Sequence, residues 1–111
     1  MKKLLSNSTV TEEKEGCIAN CLLILGNKWT ALILTELTSG TKRFTEIERQ
    51  LDGISPRTLS QRLEDLVGHK IITKQSFAEV PPRTEYALTP KGRDFIPILQ
   101  QMADWGTKYT G

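Results

Sequence analysis

The chemistry available to this sequence is concentrated in a group of hydrogen-bond donors near the middle of its 111 residues. Two guanidinium groups, one carboxamide and one hydroxyl lie close together, on Arg57, Thr58, Gln61 and Arg62. Such donors suit the base edges and phosphate oxygens of a DNA major groove when one element presents them on the same side. Whether they can act together therefore depends on the element that carries them.

The segment 55–67 is predicted to be an amphipathic helix that presents these donors to solvent. Its apolar residues recur with the period of a helix and form one stripe, made of Leu59, Leu63, Leu66 and Val67. Any amphipathic surface helix has a polar outer face, so the pattern alone also fits a helix with no role in nucleic-acid binding. We interpret the segment as a DNA recognition helix because of the donors on its first two turns and because of the elements around it.

Both ends of this helix carry signals in the sequence. Ser55 can cap the free backbone amides of the first turn, and Pro56 is tolerated at the first helical position, where its missing N–H costs nothing. Gly68 follows the last apolar residue and is predicted to end the helix as a left-handed cap. Ser55 is also a candidate DNA contact.

Two helices are predicted to precede the recognition helix. Residues 44–51 form the nearer one, and a turn at residues 52–54 joins the two in the layout of a helix-turn-helix. Residues 28–39 form the earlier one. Its predicted inward residues are Trp29, Leu32, Ile33 and Leu37.

Basic residues near the helix-turn-helix are candidates for the DNA backbone. Lys42 and Arg43 lie in the link at residues 41–43, which is too short to be more than an edge strand, and both could contact phosphate. Arg62 is also more suited to phosphate. The candidates for base edges are Arg57, Thr58 and Gln61, because the first turns of a recognition helix reach deepest into the groove.

A β-hairpin is predicted directly after the recognition helix. Residues 71–77 and 84–88 are rich in strand-forming types, and the loop between them is stiffened by Pro81-Pro82. Arg83 projects from this loop or from its base and is a candidate for the minor groove or the adjacent DNA backbone. These features are those of the wing of a winged helix, although a rigid exposed loop without a partner would have the same composition.

Two terminal helices carry more apolar surface than one domain needs. Residues 12–25 form the first, and residues 90–108 form the last, which begins with a capping Thr89 and is predicted to be kinked or broken at Pro97. Their surplus apolar surface predicts a homodimer. The candidate interface residues are Ile18, Leu22, Leu25, Phe95, Ile98, Leu99, Met102 and Trp105.

The composition is that of an ordinary globular domain, with 38% hydrophobic and 25% charged residues and a net charge of +2. Residues 41–93 hold ten basic and seven acidic groups, and this local surplus favours a phosphate partner, although a mixed solvated surface also fits. Residues 1–11 lack periodicity and are expected to be a flexible end. They also lack the apolar core of a signal peptide, and no apolar run could cross a bilayer, so we expect a cytoplasmic protein without membrane contact.

Cys17 and Cys21 lie four residues apart in the first helix. They are too few for a disulfide framework and, with His69 as the single histidine, do not match zinc-ligand spacing, so we expect no metal and no cofactor. One interpretation is that both are small apolar residues on the buried face of the helix. The other is redox or electrophile sensing, in which a thiolate bonds to another thiol.

Four short motifs resemble the HxlR-type transcriptional regulators, winged helix proteins related in architecture to the MarR regulators. The similarity covers about residues 17–106. Its motifs are Gly-x-Lys-Trp at 26–29, Lys-Arg-Phe at 42–44, Gly-Ile-Ser at 53–55 and Pro-Pro-Arg-x-Glu-Tyr-x-Leu-Thr at 81–89. The resemblance implies a homodimer held by its first and last helices, with the helix that begins at Ser55 in the major groove.

The resemblance also bears on the thiols, because some members of this family sense electrophiles or oxidants through a cysteine near the start of the first helix. Cys17 lies one residue closer to Trp29 than that cysteine commonly does, Ile18 replaces the proline that usually follows it, and Cys21 has no counterpart.

The expected fold is therefore α+β and mainly α, a single winged helix-turn-helix domain over residues 12–111 with N- and C-terminal dimerisation helices. The expected function is a transcriptional regulator that binds a palindromic site on double-stranded DNA. A winged helix that binds only protein is the alternative. No arrangement typical of catalysis occurs in the sequence, and no pattern indicates a small-molecule effector.

Overall fold

The computed structural model describes residues 12–110 of the chain, with side chains from residue 16 onward. The expected flexible segment 1–11 lies outside the described residues. The helices are α1 (Glu12–Leu25), α2 (Lys28–Glu36), α3 (Phe44–Gln50), α4 (Pro56–Gly68) and α5 (Pro90–Thr110), and a 3-10 turn (Leu37–Ser39) continues α2. The strands are β1 (Lys42–Arg43), β2 (Ile72–Phe77) and β3 (Arg83–Leu88).

The three strands form one antiparallel sheet in the order β1-β3-β2. In the hairpin, Ile72 lies opposite Leu88 and Phe77 lies opposite Arg83. The edge strand β1 pairs with β3, so that Lys42 lies opposite Tyr86. Because α3 and α4 directly precede a hairpin that returns to the side of β1, the arrangement is the predicted winged helix.

Side-chain caps fix where three helices begin. The Asn27 side chain accepts a hydrogen bond from the Thr30 backbone N–H at 3.0 Å and starts α2. The Ser55 hydroxyl accepts from the Thr58 N–H at 3.1 Å, which confirms the predicted start of α4. The Thr89 hydroxyl accepts from the Gly92 N–H at 3.0 Å and caps α5.

The core lies where α2, α3, α4 and the hairpin meet. Leu59, Leu63 and Leu66 are buried there as predicted, so the outer face of α4 is left for the polar residues. Their buried neighbours are Ile33, Leu34, Leu37, Ile47, Leu51, Ile54, Ile71, Ile72, Tyr86, Leu88 and Phe95. Burial of one α4 leucine is worth about 1.5–3 kcal/mol, so its apolar stripe anchors the helix firmly.

The end of α4 differs from the prediction. Gly68 is still helical, His69 is the C-cap with a φ of -85°, and the left-handed residue is Lys70 with a φ of 61°. The prediction of Gly68 as a left-handed cap was therefore wrong. The helix continues for one residue more because the Lys70 and Ile71 amides bond back to Val67 and Leu66 and close its last turn there.

The helices α2 and α5 also differ from their predictions. Leu32 is 42% exposed although it was predicted inward, whereas Leu34 is fully buried. Four apolar residues follow each other in α2, so periodicity could not say which of them faces the core. In α5, Pro97 does not divide the helix, which is continuous from Pro90 to Thr110. A proline frees the carbonyl four residues earlier, here on the exposed Arg93, where water can satisfy it.

In the described part of the chain, no single helix is long and apolar enough to span a membrane. The bent pair Gly16–Leu25 and Lys28–Ser39 meets the length and composition criteria only when the two are taken together.

Candidate DNA-binding surface

The first turn of α4 presents Arg57 and Thr58 at its capped end. Arg57 is exposed, and Thr58 is partly buried because its hydroxyl accepts a hydrogen bond from the Ser55 hydroxyl at 2.9 Å. The Thr58 hydroxyl keeps its own hydrogen for a further acceptor. Ser55 is committed to the cap through both bonds, which fix the start of the helix.

Asp65 organises the second turn of the same face. Its carboxylate accepts a hydrogen bond from the Gln61 carboxamide nitrogen at 3.0 Å and lies 3.3 Å from an Arg62 guanidinium nitrogen. Gln61 therefore has a preferred orientation, and its carbonyl oxygen and second N–H are not used by the bond to Asp65. Arg62 is half-buried, and its Nε atom has no hydrogen-bond partner among the described residues.

An ion pair joins α4 to the wing. The Lys74 ammonium on β2 donates a hydrogen bond to the Glu64 carboxylate at 2.8 Å. That hydrogen bond, together with Tyr86, raises the pKa of Lys74 above its ordinary value. Burial likewise raises the pKa of the Tyr86 phenol. Sequence reasoning missed Lys74, because only the register of β2 brings it beside α4.

The wing arginine is held inside the wing. Arg83 donates two hydrogen bonds to the Glu79 carboxylate at 2.6 and 2.8 Å and one to Glu85 at 3.0 Å. Its guanidinium carbon also lies 3.9 Å from the centroid of the Phe77 ring. The structure thus places the predicted residue in the wing but with most of its donors already occupied.

The strand β1 lies beside the start of α3 and carries Lys42 and Arg43, the other two residues predicted to contact the DNA backbone. Arg43 is exposed and Lys42 is partly exposed. The Arg43 backbone N–H donates to the Glu46 carboxylate at 2.7 Å, which caps α3 and leaves the guanidinium outside the cap. A surface groove of about 380 Å³ runs from Arg43 to Pro81 and Pro82 of the wing loop.

The end of α4 is bonded to the start of α5, and we call this region, residues 69–71 with 89–92, the junction. The Lys91 ammonium donates to the His69 carbonyl at 2.9 Å, and the Thr89 hydroxyl is 2.7 Å from the Lys70 carbonyl. The Ile71 carbonyl accepts from the Thr89 N–H at 3.0 Å, and it shares the single Thr89 hydroxyl hydrogen with the Lys70 carbonyl, at 3.0 Å from that hydroxyl. The segment that follows α4 is therefore bonded directly to the start of α5.

Both thiols lie outside the core, contrary to the interpretation that they are buried in the chain. Cys17 and Cys21 are exposed because α1 reaches the core only through its last turn, where Ile24 and Leu25 pack. Cys21 lines an apolar pocket of about 200 Å³ between α1 and α5. In residues 16–110, no group of three or more His, Cys, Asp or Glu side chains is placed to hold a metal ion.

The two terminal helices expose an apolar face, as the sequence predicted, with one exception. The exposed residues on α1 and α5 include Ile18, Leu22, Leu23, Ile98, Met102, Trp105 and Tyr109. Leu25 and Leu99 are partly buried against the core, so only part of each is free for a partner. Phe95 is 8% exposed and belongs to the core, where it is part of one buried cluster with Ile71 and Leu88. Its assignment to an interface was wrong.

A model of the HxlR-like helix-turn-helix family matches residues 24–111, which include every element from α2 onward. The chain belongs to the HxlR family. The predicted family is thereby confirmed, and with it the winged helix interpretation of the fold.

Relatives of this HxlR protein include an uncharacterized HTH-type transcriptional regulator from Methanothermobacter thermautotrophicus, which is 42% identical over 85 residues. That match covers 77% of this chain and 65% of the relative, so the chain spans just under two thirds of the relative's length.

Solved structures give the same fold. A MarR-family regulator from Porphyromonas gingivalis W83 has a TM-score of 0.81 and 34% identity, with 93% of this chain and 99% of that chain covered. The redox regulator HypR in its reduced form has a TM-score of 0.77 and 34% identity, with coverage of 83% and 91%.

Proposed function

We propose that this HxlR protein is a transcriptional regulator that binds double-stranded DNA as a homodimer, with α4 in the major groove. The observation that carries the proposal is the outer face of α4. Its apolar stripe is buried, its start is capped, and the exposed Arg57 projects from the first turn beside Thr58 and an oriented Gln61. The relatives that carry the name of HTH-type regulators support it.

Base recognition is assigned to Arg57, Thr58 and Gln61. Arg57 is suited to guanine, since a guanidinium can donate two parallel bonds to the guanine major-groove edge. Gln61 is suited to adenine, because its free carbonyl oxygen and second N–H match the adenine edge while Asp65 holds the first N–H. Thr58 can donate its hydroxyl hydrogen to either base or phosphate.

Backbone contacts are assigned to Lys42, Arg43 and Arg62. Lys42 and Arg43 approach from the edge strand β1, and neither side chain forms an ion pair among the described residues. Arg62 is held by Asp65 and half-buried, so its contact is restricted to a phosphate close to α4. Phosphate contacts set the orientation of the protein but carry no sequence information.

A second copy of the chain is the proposed occupant of the apolar face on α1 and α5. Large exposed apolar residues on two adjoining helices are rare on monomers, and a symmetric dimer would cover both helices at once. Such a dimer would present two α4 helices about 34 Å apart, in successive major grooves of one duplex.

Response to oxidants is proposed for the exposed thiols Cys17 and Cys21. An oxidant such as diamide would accept two electrons and two protons from two thiols and leave a disulfide between them. HypR, whose fold this chain shares, is a redox regulator, and that similarity supports the proposal. Mass spectrometry after mild diamide treatment tests it, and two thiols that stay unmodified in the folded protein would refute it.

The test of the whole proposal is selection of duplexes from a random pool by the purified protein, followed by titration of the selected duplex at two salt concentrations. A palindrome with half-sites about one helical turn apart and an affinity that falls steeply with salt is expected. Recovery of no preferred sequence, with a flat salt response, would refute sequence-specific binding and favour a protein-binding winged helix.

A further inference from the structure

Arg83, Glu79, Glu85 and Phe77 form one contact group in the wing, which we call the wing cluster. The guanidinium lies against the Phe77 ring and bonds to both carboxylates, and 24% of the Arg83 side chain is exposed. An arginine side chain has five N–H groups. The hydrogen bonds of Arg83 to Glu79 and Glu85 use three of them, one on Nε and two on Nη1. An arginine engaged in this way is part of the wing's own structure.

The charges of the wing cluster do not favour a phosphate. One guanidinium faces two carboxylates, so the group carries a formal charge of -1. Within residues 72–88, Lys74 and Arg83 balance Glu79 and Glu85, and the hairpin has no net charge. A phosphate beside Arg83 would also lie beside Glu79 and Glu85, and their repulsion would offset the attraction of the arginine.

The cluster holds both ends of the wing loop. Phe77 is the last residue of β2, and Arg83 is the first residue of β3 and lies opposite it. Glu79 lies in the loop, and its carboxylate forms an ion pair with the Arg83 guanidinium. The residues between them form an apolar tip, in which Val80 is fully exposed and Pro81 and Pro82 are exposed. The direction of this tip is therefore set by the bonds of Arg83.

We propose that Arg83 is a positioning residue of the wing, which acts on DNA through Glu79 and Phe77 by holding the apolar tip, residues 80–82, in place. In the complex the tip, rather than the guanidinium, lies against the walls of the minor groove, where apolar and proline side chains can pack. This inference rests on the proposed DNA-binding function and reassigns Arg83 from a direct contact to a positioning role.

Four variants separate the two roles: Arg83→Ala, Arg83→Lys, Glu79→Ala and the double variant Arg83→Ala with Glu79→Ala. The double variant has the same net charge as the wild-type chain, so its salt dependence is free of any change in overall charge. Asp104→Ala is the matched control for loss of an exposed carboxylate outside the wing. The probe is a duplex selected from a random pool by the wild-type protein.

We expect Arg83→Ala and Glu79→Ala each to weaken binding about threefold to thirtyfold, because a released loop must then be ordered on association. The double variant should bind no more weakly than Arg83→Ala, since the contact between Arg83 and Glu79 is already lost in that single variant. The slope of log K against log salt should stay at the wild-type value in the double variant. Arg83→Lys should fail to restore affinity, because an ammonium lacks the planar fork that bonds to the Glu79 carboxylate through two oxygens while it lies flat on the Phe77 ring.

Opposite results would overturn the positioning role. A direct phosphate contact predicts that the double variant loses about 0.9 of slope and that Arg83→Lys restores most of the affinity. It also predicts tighter binding by Glu79→Ala, because a carboxylate near DNA would be removed and Arg83 released. Asp104→Ala should leave affinity near the wild-type value in either case.

Hydrogen exchange distinguishes loosening of the wing from general unfolding. Arg83→Ala should speed exchange of the amides in residues 78–80 while the amides of α4 keep their protection. Faster exchange throughout α4 would show a global defect and overturn the local role. If the wild-type protein selects no duplex at all, the proposed function itself fails. Unchanged hydrogen exchange in the wing loop of Arg83→Ala would separately refute the positioning role of Arg83.

Discussion

Substitution of Gly92 by alanine tests how tightly the junction is built. A Cβ atom at Gly92 would lie 2.2 Å from the Ile71 carbonyl oxygen and 3.2 Å from a Leu88 methyl carbon. The carbonyl would have to move by roughly 1 Å to reach an ordinary contact distance, since carbon atoms pack at about 3.5 Å or more. It cannot move alone, because it accepts two hydrogen bonds from Thr89.

The magnitude follows from three contributions. Loss of the two Thr89 bonds costs about 1–3 kcal/mol at about 0.5–1.5 kcal/mol each. Overpacking against Leu88 and Ile71 adds about 1–3 kcal/mol. Alanine gains about 1 kcal/mol over glycine in a helix. The destabilising contributions are larger than the gain in helix propensity, and we expect Gly92→Ala to lower the free energy of unfolding by about 1–5 kcal/mol.

The assay is urea unfolding followed by circular dichroism at fixed protein concentration, which matters if the chain is dimeric. Gly68→Ala is the matched control, because nothing lies within 4 Å of a Cβ added there and its φ is not left-handed. That variant should gain up to about 1 kcal/mol. If Gly92→Ala proved as stable as the wild-type protein while Gly68→Ala gained, the close contact at the junction would be refuted.

Three further outcomes are expected. Arg57→Ala should cost about 1–3 kcal/mol on the selected duplex and relax preference at one base pair, measured by titration against single-base variants, and an equal loss on every duplex would demote Arg57 to a phosphate contact. The raised pKa values of Lys74 and Tyr86 favour their protonated forms in the folded state, so their stabilisation is complete below the ordinary values of 10.5 and 10.0 and is lost as the pH rises above them. Unfolding titrations should therefore show falling stability above pH 10, reduced in Tyr86→Phe, and an unchanged alkaline limb in that variant would contradict the assignment. Met102→Glu on the apolar face of α5 should yield monomers in sedimentation velocity with an unchanged circular dichroism spectrum. Gln101→Glu, also exposed on that helix, is the control and should remain dimeric. A dimer formed by Met102→Glu would refute that face as the interface.

Much of the fold could be predicted from the sequence because the signals are local. The stripe of Leu59, Leu63 and Leu66 has only one helical interpretation, and the capping residues Ser55 and Thr89 are followed by proline at the first position of each helix. The hairpin likewise follows from two strand-forming runs separated by a proline-rich loop. Each of these features depends on residues within one or two turns of each other.

Other features depend on contacts that periodicity cannot reveal. Phe95 and Ile98 lie on one stripe of α5, but the first belongs to the core and the second is 48% exposed, and only the position of α5 on the core decides between them. The exposure of Cys17 follows from how far α1 extends from the core. The bonds of Arg83 to Glu79 and Glu85 depend on the strand register and the loop path, so the sequence indicated a basic wing residue but not that it was already paired.

The junction has a consequence for how operator preference could change in this family. Because the three residues that follow α4 are bonded to the start of α5, they connect the two helices, and the crossing angle of the two α5 helices in a dimer would influence how far apart the two α4 helices lie. Half-site spacing would then be encoded by residues such as Met102 and Trp105, which lie on α5 rather than on the helix proposed to enter the groove. Exchange of the terminal helices between two relatives would transfer the spacing of the half-sites and leave the preferred bases unchanged.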